Sequence, residues 1–273
     1  MTETHELREI ARRLRTRIVE MTTEAGSGHP TTALSCVEIV TALHFSRLRW
    51  NPRDAGWPDR DRFILSKGHG VPVLYAAYAE AGAIPEEELS TLRRTGSRLQ
   101  GHPDPVRLPF VEAATGSLGQ GLSIAIGLAL AAKTDGASWR TYCLMGDGEI
   151  QEGQVWEAAM SAPRFELDNL VAIVDSNRIQ QTSSVREILP TLEPIVPKWE
   201  AFGWHVIDVD GHDLGAVLAA LDEASSTRGR PTAIVARTVK GKGVSFMEDD
   251  LAFHGKPANS DQAKMAIEEI KSA

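Results

Sequence analysis

Tyr142-Cys143-Leu144-Met145-Gly146-Asp147-Gly148-Glu149 opens the stretch that decides the fold, and Leu170-Val171-Ala172-Ile173-Val174-Asp175-Ser176-Asn177-Arg178-Ile179 closes it. Each segment begins as an apolar strand-like run and ends on a polar group, Asp147 in the first and Asn177 in the second. A helix-like segment separates them. In an open parallel α/β sheet, ligands gather beyond the carboxyl ends of the strands. A carboxylate and a side-chain amide there, with a nearby backbone carbonyl, make a small all-oxygen site. Such a site suits Mg²⁺, which takes few protein ligands and completes its octahedron with phosphate oxygens and water. The stretch therefore has the character of a magnesium diphosphate site.

On the N-terminal side, residues 5–21 carry Leu7, Ile10, Ala11, Leu14 and Ile18 at helical spacing. Gly26-Ser27-Gly28-His29-Pro30 must end that helix, and Thr31 or Thr32 can cap a second one running to about Leu48. Arg62–Leu65 is a short strand that ends in Ser66-Lys67-Gly68-His69-Gly70, again a strand followed by a glycine-flanked polar group. Glycines on both sides of His69 imply a close backbone approach. A helix follows over Val71–Ala81, and Pro85 with Glu86, Glu87 and Glu88 opens another. Gly101-His102-Pro103 repeats the tripeptide of residues 28–30. Thr115-Gly116-Ser117-Leu118-Gly119-Gln120-Gly121 then leads into an apolar helix to about Ala132. Small residues before that helix let backbone amides reach an anion; alternatively Gly119, Gly121 and Gly127 allow close helix packing.

On the C-terminal side the α/β rhythm continues. A helix over Glu193–Phe202, interrupted early by Pro194 and Pro197, precedes a strand over Trp204–Val209. A helix over Asp213–Thr227, a strand over Pro231–Arg237 and a helix from Ser260 complete it. No linker, repeat or low-complexity tract divides residues 1–273, so the expectation is one domain. Its fold class is α/β: a three-layer α/β/α sandwich with a mostly parallel sheet.

Composition narrows the function. Of 273 residues, 42% are hydrophobic and 24% charged, as in a soluble globular protein. The formal net charge of -8 argues against a nucleic-acid partner. Cys36 and Cys143 both lie in apolar settings and are expected as buried free thiols, in keeping with a cytoplasmic location. The N-terminus lacks the apolar segment of a signal peptide, and Leu122–Ala132 is too short to span a bilayer, so no membrane partner is expected. Gly146-Asp147-Gly148 follows a strand, but a dinucleotide fingerprint would need glycine where Gln151 stands. Lys240-Gly241-Lys242-Gly243 lacks the upstream glycine and the following Ser/Thr of a Walker loop.

Taken together, Gly28-His29-Pro30, Ser66-Lys67-Gly68-His69-Gly70, Gly101-His102-Pro103, Thr115 through Gly121, Gly146-Asp147-Gly148 through Asn177, and His254-Gly255-Lys256-Pro257 resemble the N-terminal half of transketolases, in that family's order. The resemblance implies a thiamine diphosphate-binding fold. It implies that Asp147, the Asn177 side chain and the Ile179 carbonyl hold Mg²⁺, with Ca²⁺ or Mn²⁺ as substitutes. The cofactor would be held by His69, Gly116, Ser117, Leu118, Gly146, Asp147, Gly148, Glu152, Asn177, Ile179 and His254. His29, His69, His102 and His254 would ring the reacting centre with Glu152, and histidines titrating near neutrality suit hydroxyl proton transfer. Glu152 and Glu157 would lie near a dimer interface and link two active sites. Their five-residue separation sets them about 140° apart on an ideal helix, so they are not an i,i+4 pair. His5, His44, His205 and His212 match no motif and are expected to be structural.

In full-length transketolases a second domain completes the cofactor site and grips the sugar phosphate. The resemblance therefore implies a separate C-terminal transketolase subunit, a heterotetramer, and transfer of a two-carbon ketol unit between sugar phosphates, as in the pentose phosphate pathway. Thr31 stands where full-length transketolases often carry glycine. Two rival expectations remain open. One is another split thiamine diphosphate enzyme, such as a 2-oxo acid dehydrogenase α chain or a deoxyxylulose-type synthase. The other is a non-catalytic binding subunit.

Overall fold

Along the second strand of the sheet, Tyr142 and Leu144 face one hydrophobic cluster while Cys143 and Met145 face another. The third strand divides likewise, Val171 and Ile173 from Ala172 and Val174. Successive side chains of a strand point to opposite faces, so continuous apolar runs demand cover on both sides. The computed structural model, which describes residues 3–272, supplies that cover. Its strands are β1 (Arg62–Leu65), β2 (Thr141–Gly146), β3 (Leu170–Ser176), β4 (His205–Asp210) and β5 (Thr232–Arg237). They lie in the order β1-β2-β3-β5-β4, and every neighbouring pair is parallel.

Ten α-helical segments occur among the described residues: α1 (Glu3–Ala25), α2 (Pro30–Leu34), α3 (Val37–Ala42), α4 (Pro72–Glu80), α5 (Gln120–Asp135), α6 (Gly153–Arg164), α7 (Val185–Ile188), α8 (Val196–Ala201), α9 (Leu214–Ser226) and α10 (Ser260–Ser272). Helices α1, α3, α4, α9 and α10 contribute to the cluster on one face of the sheet, and α5, α6 and α8 to the cluster on the other. The expected three-layer α/β/α arrangement is therefore present. Because all strands run the same way, Leu65, Gly146, Ser176 and Arg237 end at one edge, and the segments that follow them collect there.

Several local expectations change. The helix expected from Thr31 to Leu48 is broken into α2, α3 and a π-helical turn over Leu43–Arg47. Pro30, with its φ set for a first turn and no N–H to lose, starts α2, so neither threonine serves as the cap. Glu86–Thr91 forms a 3₁₀ segment instead of an α-helix, and α8 begins only at Val196. The apolar helix α5 buries Leu122, Ala125, Ile126, Ala129 and Ala132, whereas Ile124 on its outer side is 36% exposed. It is apolar all round but covered on one face. Cys36 and Cys143 are buried free thiols, as expected. No helix among the described residues is long and apolar enough to cross a membrane.

Candidate functional site

Beyond the carboxyl ends of β1, β2, β3 and β5 lies a cavity of about 480 Å³, a size that suits a cofactor. The structure brings His29, His69, His102, Gly116, Leu118, Gly146, Asp147, Gly148, Glu152, Asn177, Ile179 and His254 to its walls. Ser117 is exposed and is not among the residues that line the cavity. Glu152 and Glu157 are both exposed, and of the two Glu152 alone lines the cavity.

Each histidine is delivered by a specific backbone arrangement. His29 precedes α2, and its carbonyl accepts from Ala33 N at 3.2 Å. Thr31 Oγ1 donates to Phe253 O at 3.0 Å, which draws the His254 segment against α2. Tyr75 Oη donates to Gln100 O at 3.0 Å and holds the His102 loop over α4. A Cβ on Gly68 would come within 2.8 Å of the Thr115 carbonyl carbon and 2.9 Å of Gly116 N, so glycine is what lets these two loops close on each other. Gly121 packs equally tightly against Ser66, whereas Gly127 faces open space and needs no glycine for packing.

The rings of His29, His69 and His254 form one group. His29 meets His69 at 5.1 Å and His254 at 5.4 Å, both edge to face, and His69 stacks on His254 at 5.9 Å. Burial lowers the pKa of His29 to about 4, with help from Arg93, Lys240 and His102. Burial and Lys240 take His254 down to about 3, and burial above all holds His69 well below its ordinary value. His102 is lowered too, by burial and then Arg93. Burial thus takes His29, His69 and His254 below the near-neutral range expected of them and moves the more exposed His102 in the same direction. These are neutral imidazoles, each with one donor and one acceptor nitrogen, and His254 Nδ1 is buried with no hydrogen-bond partner among the described residues.

Asp147 and Asn177 stand side by side at the ends of β2 and β3, where Asp147 N donates to Asp175 O at 3.2 Å. Asp147 Oδ1 accepts from Gly148 N at 2.7 Å and Oδ2 from Arg178 N. Burial nevertheless pushes this carboxyl up to about 7 against those two bonds, and the Asp175 charge adds to the rise. Among the described residues no cluster of three or more His, Cys, Asp or Glu side chains forms a metal cage. An oxygen set of one carboxylate, one amide and backbone is the composition that hard Mg²⁺ accepts.

Sequence reasoning missed three charged groups. Lys240, dismissed with the failed Walker loop, is 2% exposed, lines the cavity and donates to Thr32 Oγ1 at 3.0 Å. It makes no ion pair among the described residues, and burial, then Lys67, lower its pKa to about 8. Lys67 is paired with Asp175; burial opposes its charge, but the carboxylate outweighs that and raises its pKa. Glu149 accepts from Ser66 Oγ, from Gly119 N at 3.0 Å and from Gly146 N at 3.0 Å. The Gly119 amide, expected to reach for an anion at the start of α5, is thus already occupied by a carboxylate. No local pattern announces these partners, which lie 30 or more residues away except for Gly146.

Of the four histidines set aside, the buried ring of His44 packs edge to face on Trp50 and Phe63, and its pKa falls to about 4 through burial. His205 bonds Glu223, and His212 bonds Glu38 and the Val239 amide. None of the four lines the cavity.

Residues 7–271 match the family model described as the transketolase thiamine diphosphate binding domain. The chain is 48% identical over 267 residues to the transketolase of Rattus norvegicus, covering 97% of this chain and 42% of that protein. It is 45% identical over 246 residues to the 6-deoxy-6-sulfo-D-fructose transketolase subunit SqwG of Clostridium sp. (strain MSTE9), covering 90% and 89% of the two chains. The crystal structure of transketolase from Campylobacter jejuni superposes with a TM-score of 0.93 at 34% identity, over 99% of this chain and 43% of that one. The chain thus spans about two-fifths of the transketolases and nearly all of the Clostridium subunit. It belongs to the transketolase family and is similar throughout to that family's thiamine diphosphate binding domain.

Proposed function

We propose that this chain is the diphosphate-end subunit of a two-chain transketolase. It would form one cofactor-binding domain and act with a separate C-terminal subunit, as a heterotetramer in the cytoplasm. Together they transfer a two-carbon ketol unit from a ketose phosphate to an aldose phosphate with thiamine diphosphate and Mg²⁺. The observation that carries the reading is electrostatic. A buried ammonium, Lys240, and a buried carboxyl, Asp147, neither in an ion pair among the described residues, line one cavity. Buried charges left unpaired are destabilising, and a divalent metal diphosphate satisfies both at once.

In this reading Asp147, the Asn177 amide oxygen and the Ile179 carbonyl hold the metal, with Ca²⁺ or Mn²⁺ able to stand in. His69, Gly116, Ser117, Leu118, Gly146, Gly148 and Lys240 would hold the diphosphate. The bound cofactor supplies the electron sink for breaking and making carbon–carbon bonds. The neutral rings of His29, His69, His102 and His254 would orient donor hydroxyls, presenting no charge to the cavity until one of them accepts a proton, which it then returns. Glu152, at the cavity rim, faces the subunit interface with Glu157 nearby. A partner is supported by the Clostridium relative, named as a subunit and matched along almost its whole length.

The test is titration of thiamine diphosphate with Mg²⁺ into the chain and its reconstituted complex. The complex is then assayed with xylulose 5-phosphate plus ribose 5-phosphate, with 6-deoxy-6-sulfo-D-fructose as a second donor, and separately with pyruvate. Turnover of a ketose donor in the complex supports the reading. Turnover of pyruvate alone would replace it with the 2-oxo acid or deoxyxylulose-type alternative. Absence of both heat and thermal shift would revive the non-catalytic subunit.

A further inference from the structure

Asn177 is held by its amide nitrogen. Its Nδ2 donates to Asp175 Oδ2 at 3.2 Å and lies 3.4 Å from Ser35 Oγ, while its Oδ1 accepts from Ile179 N at 3.1 Å. An amide can sit either way round, and only its partners decide which. Asp175, fully buried, receives Lys67 Nζ, Ser35 Oγ at 2.5 Å and Thr238 Oγ1. With an ammonium against it, its carboxylate is an acceptor only. A flipped Asn177 would set oxygen against oxygen at Asp175 and point its NH₂ at the Ile179 amide, two repulsive contacts in place of two bonds. One orientation survives, with the oxygen on the Ile179 side.

We propose that Asp175 is a positioning residue for the metal. Held by Lys67 and Ser35 at Oδ2, the oxygen that also meets Asn177, it locks the Asn177 amide with its oxygen toward Ile179, and so sets the affinity of the site for a divalent cation. The affinity part rests on the metal diphosphate reading above; the orientation part does not. Lys67 is the counter-ion that keeps the lock charged, through a pairing that joins the ends of β1 and β3. Outer partners of this kind typically change metal affinity by about 10–100-fold.

The experiment uses the full chain and the double variant Lys67→Met/Asp175→Leu. Removing both charges together keeps the volume and leaves no unpaired ion, an exchange that buried pairs often tolerate. The first readout is hydrogen exchange of the Asn177 side-chain amide by ¹⁵N NMR without metal. The second is Mn²⁺ affinity with inorganic pyrophosphate, by electron paramagnetic resonance. The expected result is slow exchange in the parent, exchange at least about tenfold faster in the double variant, and Mn²⁺ affinity lower by about 10–100-fold. Thr238→Val, which removes a bond to the other Asp175 oxygen, should change neither readout. Rapid amide exchange in the parent, unchanged Mn²⁺ affinity in the double variant, or an equal loss in Thr238→Val would overturn the proposal. If the double variant fails to fold, Asn177→Asp decides. It should bind Mn²⁺ more weakly despite its added charge, because it puts a second carboxylate against Asp175; tighter binding would sink the idea. Failure of the parent to bind Mn²⁺ pyrophosphate would count against the cofactor reading, while the amide exchange would still judge the orientation.

Discussion

Asp61 and Asp147 are the same residue type, each 3% exposed, at opposite ends of the same sheet. Asp61 precedes β1 and is saturated: it accepts from Arg49 N at 2.9 Å, from Arg140 N at 2.8 Å and from the Arg49 guanidinium at 2.9 Å. Asp147 follows β2 and has two backbone amides and, among the described residues, no cation in ion-pair contact. The first ties two strand starts to the loop before them. The second is left electrostatically open in the free chain, as a ligand site must be. Burial alone does not distinguish a structural carboxylate from a functional one; the presence or absence of a resident counter-charge does.

That contrast can be broken in several places. The largest effect belongs to Asp61→Ala, which orphans two backbone donors at roughly 1–3 kcal/mol each. It should lower stability by about 3 kcal/mol in total and the melting temperature by on the order of 10 °C. Cofactor affinity of the folded fraction should stay unchanged; calorimetry of unfolding and a binding titration check both. Asp147→Asn should do the reverse, leaving the chain folded while Mg²⁺-dependent binding of thiamine diphosphate falls by more than the about 10–100-fold typical of a lost outer partner. Lys240→Met should weaken binding of inorganic pyrophosphate by on the order of tenfold, about 1.4 kcal/mol. It should also raise the melting temperature of the free chain, because an unpaired buried charge disappears.

A subtler effect is the pH dependence of the free chain. Asp147 has a folded pKa of about 7, above its unfolded value, so the folded state takes up the proton first. Its buried charge destabilises above that pH, and the penalty fades as pH falls through 7. The parent should therefore gain stability relative to Asp147→Asn between pH 8 and pH 5. Denaturant titrations that show the opposite slope would break the contrast with Asp61. The smallest effect is expected at the partly exposed Arg237, which pairs with Asp208 of β4 and with Glu193. Its alanine variant should lose less than about 1 kcal/mol, as exposed pairs do.

The skeleton of the site was legible because its signals are local. Asp147 and Asn177 each follow an uninterrupted apolar run, and the glycine-flanked histidines stand out in turns. Hydrophobic runs place strands well, since burial on both faces leaves little room for other readings. The charges that complete the site were not legible, for the opposite reason. Lys67 meets Asp175 across 108 residues, and Lys240 meets Thr32 across 208. Their meaning depends on which strand ends become neighbours, which no spacing along the chain contains. The lowering of the histidine pKa values is not legible on the same ground, since desolvation is a property of the assembled cavity. The break of the expected helix after Thr31 into three pieces is marked by no glycine or proline between Thr31 and Leu48, so the sequence reads as one longer helix.

Glu149 carries a consequence for anyone remodelling this protein. One carboxylate accepts from the residue after β1, from the last residue of β2 and from the residue that caps α5. Those three stretches therefore share a single fastener and cannot be exchanged, lengthened or diversified one at a time. A library that varies residues around Ser66, Gly119 or Gly146 separately should return mostly misassembled members. One that transplants the three together with Glu149 keeps the joint intact and leaves the exposed rim at Gln181 and Thr182 as the part of the cavity wall open to independent variation.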